Sequence, residues 1–140
     1  MSKLTTQEID QFNRDGYLMK PALFDAEEME LLITIARNDQ RFEREALERR
    51  DAQAGTSKFW LTDKLEQDIY SAFVHSLRII EPLEQVLGGE IYHYHHKMML
   101  KEPFVGGSWE WHQDYGYWYS NNCLFPYMAS CLIEIGRAHV

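Results

Sequence analysis

At Gly88-Gly89 the apolar period of this chain changes from that of a helix to that of a strand, and the switch constrains the fold more than any other feature. Before it, residues recur at helical spacing behind clear start signals. Thr5 with Glu8 forms a capping-box pattern ahead of Ile9 and Phe12, and Asp15-Gly16 stops that helix. Tyr17-Leu18-Met19 reads as a short strand leading into Pro21. Asp25-Ala26-Glu27-Glu28 then opens a second helix with the stripe Met29, Leu32, Ile33 and Ala36. Thr62 or Asp63 is expected to cap a third helix carrying Leu65, Ile69, Phe73 and Leu77, continued by Pro82, Leu83, Val86 and Leu87. Between the second and third lies Asn38 to Ser57, rich in charge and weakly apolar. It reads as a solvated loop or frayed helix, with a lid over a site as the alternative.

After the switch the period is two. Glu90 to Lys101 is expected to be a long strand, with His93, His95, Lys97, Met99 and Lys101 on one face and His96 and Met98 on the other. A turn at Gly106-Gly107 leads to an expected strand from Trp109 to Trp118, and Met128 to Ile133 reads as a last apolar strand. Helices first and strands afterwards place the chain in the α+β class, its N-terminal helices packed on the start of a β-sandwich or barrel.

Bulk properties narrow the function. A formal charge of -8 over 140 residues argues against a general phosphate-backbone binder, so nucleic acid is not an expected partner. Cys123 and Cys131 are too far apart for a CxxC pair and too few for a disulfide framework. With no continuous apolar run for a signal peptide or membrane span, a cytoplasmic location without a membrane partner is the expectation.

The chemistry concentrates in Trp111-His112-Gln113-Asp114-Tyr115-Gly116-Tyr117-Trp118. On a strand, His112 and Asp114 would share a face and offer two of the three ligands of a 2-His-1-carboxylate iron(II) site. The surrounding aromatics would wall such a site; they would equally suit an aromatic barrel core around a satisfied histidine. His93, His95 and His96 raise a zinc alternative against plain strand packing. Lys97 and Lys101 share the face of His95 and could present cations to a dicarboxylate, although lysines near strand ends are most often solvated.

Three blocks, Leu4 to Leu18, Lys97 to Pro103 with Gly106-Gly107, and Trp111 to Trp118, together resemble the phytanoyl-CoA dioxygenase family in its order. The resemblance implies an iron(II)- and 2-oxoglutarate-dependent oxygenase acting on a small molecule. It implies N-terminal helices packed on a double-stranded β-helix, a cupin-like jelly roll that would be incomplete here. It implies His112 and Asp114 as iron ligands, His95 and Met99 as 2-oxoglutarate contacts, Lys97 near substrate or cosubstrate, and Trp118 beside the site. Lys58 is a further candidate from its distance upstream of the iron motif.

The departures are also specific. The family's distal histidine and 2-oxoglutarate-binding arginine have no counterpart after Ile133. In their place Glu134 to Val140 reads as translated sequencing adapter, so residues 1–133 are expected to be the front part of one dioxygenase domain, and inactive alone. Two rivals remain open: a non-redox cupin-like ligand binder, and a zinc hydrolase recruiting His93 or His95 beside His112 and Asp114.

Overall fold

The computed structural model describes residues 3–52 and 55–136. Helix α1 (Thr6–Asp15) begins as the sequence indicates: the Thr5 N–H donates to Glu8 Oε2 at 2.8 Å, and the Glu8 N–H donates to Thr5 Oγ1 at 3.3 Å. Gly16 closes it at φ 79°, a conformation cheap for glycine alone. Helix α2 (Ala26–Asn38) repeats the device with Asp25 and Glu28, each reciprocal bond 2.9 Å long. Glu28 also pairs with Arg78, and that hydrogen bond, with the cap, lowers its carboxyl to about 2.

Beyond α2 several expectations are corrected. Tyr17 to Met19 forms no strand. The described part of the polar stretch after Asn38 is more than a loop or a frayed helix: it contains a short helix α3 (Arg41–Arg44) and a strand β1 (Leu47–Arg50). Strand β2 (Thr56–Thr62) then occupies the position where a helix cap was expected. The helix is split and starts later, as α4 (Ile69–Val74), capped by Asp68, and α5 (Leu77–Leu87), capped by Ser76. Leu65 lies outside both.

The long strand after Glu90 shortens to β3 (His96–Leu100). Among the described residues the strands form one three-stranded antiparallel sheet in the order β1-β2-β3. The register pairs Arg49 with Ser57, Phe59 with Met99, Trp60 with Met98 and Thr62 with His96. Since directly paired residues share a face, Trp60, Met98 and His96 lie on one side, and Arg49, Ser57, Phe59, Lys97 and Met99 on the other.

The first side faces the helices. Leu32, Trp60 and Tyr70 are buried together, with Met29, Phe73 and Met98 packed around them. Ile135, from the segment read as foreign, packs there too, while Arg137 to Val140 lie outside the described residues. Arg41 joins this core to α3: its guanidinium stacks over Trp60 and Tyr70 at 4.6 and 4.7 Å and bonds Asp39 and Asp68 at 2.8 and 2.7 Å. Burial pushes the Asp39 and Asp68 carboxyls up, but hydrogen bonds, those from Arg41 among them, outweigh it and hold both below their usual value.

Candidate metal and ligand site

The chain from Val105 to Trp109 runs along the start of β2 and lays one ring, that of Trp109, on the second face of the sheet. Thr56 donates its N–H to Val105 O at 2.8 Å, and Gly107 donates to Thr56 O at 3.3 Å. This approach needs two glycines. A Cβ on Gly107 would stand 2.6 Å from Gly55 O, and one on Gly55 would stand 2.6 Å from Gly107 Cα, inside any real contact distance. Asp51 then accepts from the Ser108 N–H at 2.6 Å, the Ser108 hydroxyl at 3.0 Å and the Gly55 N–H at 2.7 Å. Trp109 follows, its ring edge-on to Phe59 and under the cations of Arg49 (4.0 Å) and Lys97 (4.8 Å).

The expected strand from Trp109 to Trp118 does not form. Residues 109–113 belong to no regular element, and helix α6 (Asp114–Ser120) starts at the carboxylate itself. Gln113, the N-cap, is extended (φ -108°, ψ 120°), and Asp114 opens the helix, where a negative charge suits the N-terminal dipole. The turn, rather than strand parity, brings the two side chains together. His112 Nε2 lies 3.1 Å from Asp114 Oδ1.

The tautomer of His112 follows from its other nitrogen. Nδ1 is 2.7 Å from Glu110 O, a carbonyl that can only accept, so Nδ1 carries the proton. In the neutral ring Nε2 is then a lone-pair nitrogen, and it accepts a long 3.4 Å contact from Trp109 Nε1. Two acceptors, Nε2 and a carboxylate oxygen, thus face each other, which favours a cation or proton between them. An imidazole nitrogen and a carboxylate oxygen are both ordinary donors to divalent cations, and at 3.1 Å apart both could reach one ion. The donor pair therefore fits a divalent ion. Among the described residues no third His, Cys, Asp or Glu completes a cluster with them.

A concavity of about 340 Å³ opens at the pair, lined by Trp109, Gln113, Tyr117 and Trp118 and bordered by Arg49 and Glu110. Of the residues singled out from the sequence, His112, Asp114 and Trp118 line it. His95 packs on Trp118 with ring centroids 5.5 Å apart, and burial first, then Lys97, pushes its imidazole pKa down. Lys97 and Met99 share the sheet face beneath Trp109. Lys58 lies on the opposite face, beside Trp60, and reaches Glu102 at 3.7 Å. His93 turns the other way, to a 3.1 Å contact with His96 Nδ1 against Trp60, so it is not grouped with His112 and Asp114 as a zinc hydrolase would require. Arg49 escaped the sequence reading; nothing in its charged surroundings marks it out.

Comparison with known proteins completes the description. The profile of the phytanoyl-CoA dioxygenase (PhyH) family matches residues 12–137. The chain belongs to this family. Ectoine dioxygenase of Halomonas elongata is 30% identical over 131 residues, covering 85% of this chain and 37% of that protein. Ectoine dioxygenase of Stutzerimonas stutzeri is 25% identical over 79% of the chain and 38% of its own length. L-proline trans-4-hydroxylase of Streptomyces griseoviridis is 44% identical over 36 residues, which cover 26% of the chain and 13% of that enzyme. The chain thus spans less than two fifths of the length of these relatives. No solved structure gives a significant match. The family is described as a dioxygenase family and the relatives are named for the small molecules ectoine and proline; no helix among the described residues is long and apolar enough to cross a membrane.

Proposed function

We propose that these residues are the front part of an iron(II)- and 2-oxoglutarate-dependent dioxygenase that hydroxylates a small organic molecule. The observation that carries the reading is the His112–Asp114 pair: 3.1 Å apart, its imidazole tautomer fixed for ligation, in a chain matched to a dioxygenase family over residues 12–137. Iron with 2-oxoglutarate and dioxygen would supply the hydroxylation of an unactivated C–H bond, one oxygen atom going to the substrate and the other to succinate, with carbon dioxide released. His112 and Asp114 would hold the metal. His95, Lys97 and Met99 would support the cosubstrate side, and Trp109, Tyr117 and Trp118 would exclude water. Lys58, on the far face of the sheet, is less well placed for that role.

In this reading the three-stranded sheet is the opening part of a double-stranded β-helix, and a distal histidine and an arginine come from sequence beyond Ile133. Ectoine and proline, named for the relatives, indicate the size class of the substrate. The test is turnover. The uninterrupted parent protein, read from its gene past Ile133, should convert 2-oxoglutarate to succinate only with iron(II), His112→Ala should abolish this, and residues 1–140 alone should not turn over. A parent protein without such turnover, but still binding small ligands, would instead support the non-redox reading.

A further inference from the structure

The first strand and turn of the β1–β2 hairpin, within the stretch read from sequence as a solvated loop, frayed helix or lid, grip the backbone immediately before His112. Arg49 does this from three sides. Its Nη2 bonds Glu110 Oε2 at 2.6 Å, its Nη1 reaches Ser108 O at 3.4 Å, and its guanidinium lies 4.0 Å over the Trp109 ring. The second Glu110 oxygen accepts the Ala52 N–H from the hairpin tip at 3.2 Å. Glu110 is thereby held by side chain and hairpin together, and its carbonyl is the acceptor that fixes the His112 tautomer.

We propose that Arg49 is a positioning residue for His112: by clamping Glu110, Ser108 and Trp109 it holds the Glu110 carbonyl against Nδ1, so that Nε2 faces Asp114 unprotonated. This rests on reading His112 and Asp114 as metal ligands, but the hold on the tautomer exists without metal. The physical logic is that of an outer partner orienting a ligating imidazole, with a backbone carbonyl as the acceptor and a hairpin arginine behind it. A solvated surface arginine would make neither the stacking contact nor the second bond to Ser108 O. The Glu110 side chain also has a role here without touching the metal.

Labelling the histidines of this chain with nitrogen-15 and reading ring shifts in alkaline, metal-free buffer, where imidazoles are neutral, tests the idea directly. Wild-type His112 should show a protonated Nδ1 and a bare Nε2. Arg49→Ala and Glu110→Gln should each shift it toward a mixture of tautomers. Both should also weaken Co(II) binding by about tenfold or more, and Arg49→Lys should recover part of the loss. Glu110→Gln keeps the backbone carbonyl and serves if Arg49→Ala unfolds the hairpin. A His112 that stays wholly in the Nδ1–H form in both variants, or that is Nε2–H in the wild type, would overturn the proposal. Tautomer shifts in a wild-type background that binds no Co(II) would count against the metal reading while supporting the hold of Arg49.

Discussion

Replacing Gly107 by alanine sets two effects of opposite sign against each other, and the structure says which wins. Gly107 is not among the positive-φ glycines, so alanine can adopt its backbone conformation. Were there space, the smaller entropy of the unfolded alanine chain would stabilise the protein by about 0.4–1 kcal/mol. There is none: the new Cβ would lie 2.6 Å from the Gly55 carbonyl oxygen and 2.8 Å from its carbon, both backbone atoms fixed by the Asp51 N–H to Gly55 O bond. Relieving such a contact means moving one backbone off another, which costs roughly 1–3 kcal/mol. The net expectation is a loss of about 1–2 kcal/mol, read as a lower urea midpoint by tryptophan fluorescence. Gly89→Ala is the matched control, because nothing lies within 4 Å of its added Cβ, and it should be neutral or slightly stabilising. The displacement should also reach the site, since Ser108 to His112 follow directly; Co(II) binding should weaken in Gly107→Ala and not in Gly89→Ala. If Gly107→Ala equals or exceeds wild-type stability, the close approach of hairpin and site segment is wrong.

Other consequences are separable. Leu32→Ala removes the most buried aliphatic side chain of the core cluster and should cost about 2–3 kcal/mol in the same urea assay. Arg41→Met should cost about 2 kcal/mol at neutral pH, allowing for the partial exposure of the site. Because Asp39 and Asp68 have carboxyls lowered on folding, their contribution is fully present above the unfolded carboxylate range and is lost as pH falls through the folded values. Urea midpoints measured between neutral and acid pH should therefore fall less steeply in Arg41→Met than in wild type.

What the sequence made legible was local. The capping boxes at Thr5 and Asp25 and the glycine stop at Gly88 depend on residues within one turn, and each is seen at its expected place. The opposed faces of His96 and Met98 against Lys97 and Met99 were readable because parity is a property of a single strand. Pairing was not readable. Leu47 to Arg50 is charged and exposed, and it becomes a strand only because β2 supplies its ladder. Met128 to Ile133 is apolar yet belongs to no strand, as no described strand pairs with it. The misread segment after Trp109 did contain a helical signal: Tyr115 and Tyr119, one turn apart, contact each other at 6.2 Å, with Asp114 in the first turn. Crowded aromatics on both parities hid it, and the His-x-Asp spacing suits a strand and a strand-to-helix turn alike.

His112 and Asp114, rather than the other histidines, are the proposed metal ligands. Substoichiometric Co(II) added to the chain uniformly labelled with nitrogen-15 and carbon-13 separates these possibilities, through paramagnetic loss of NMR signals. His112 and Asp114 should vanish first, followed by the indole resonances of Trp109 and Trp118, with His93 and His96 keeping their signals, and Asp114→Asn should restore all of them at the same Co(II) level. Losses centred on His93 and His96, or losses around His112 that persist in Asp114→Asn, would contradict it.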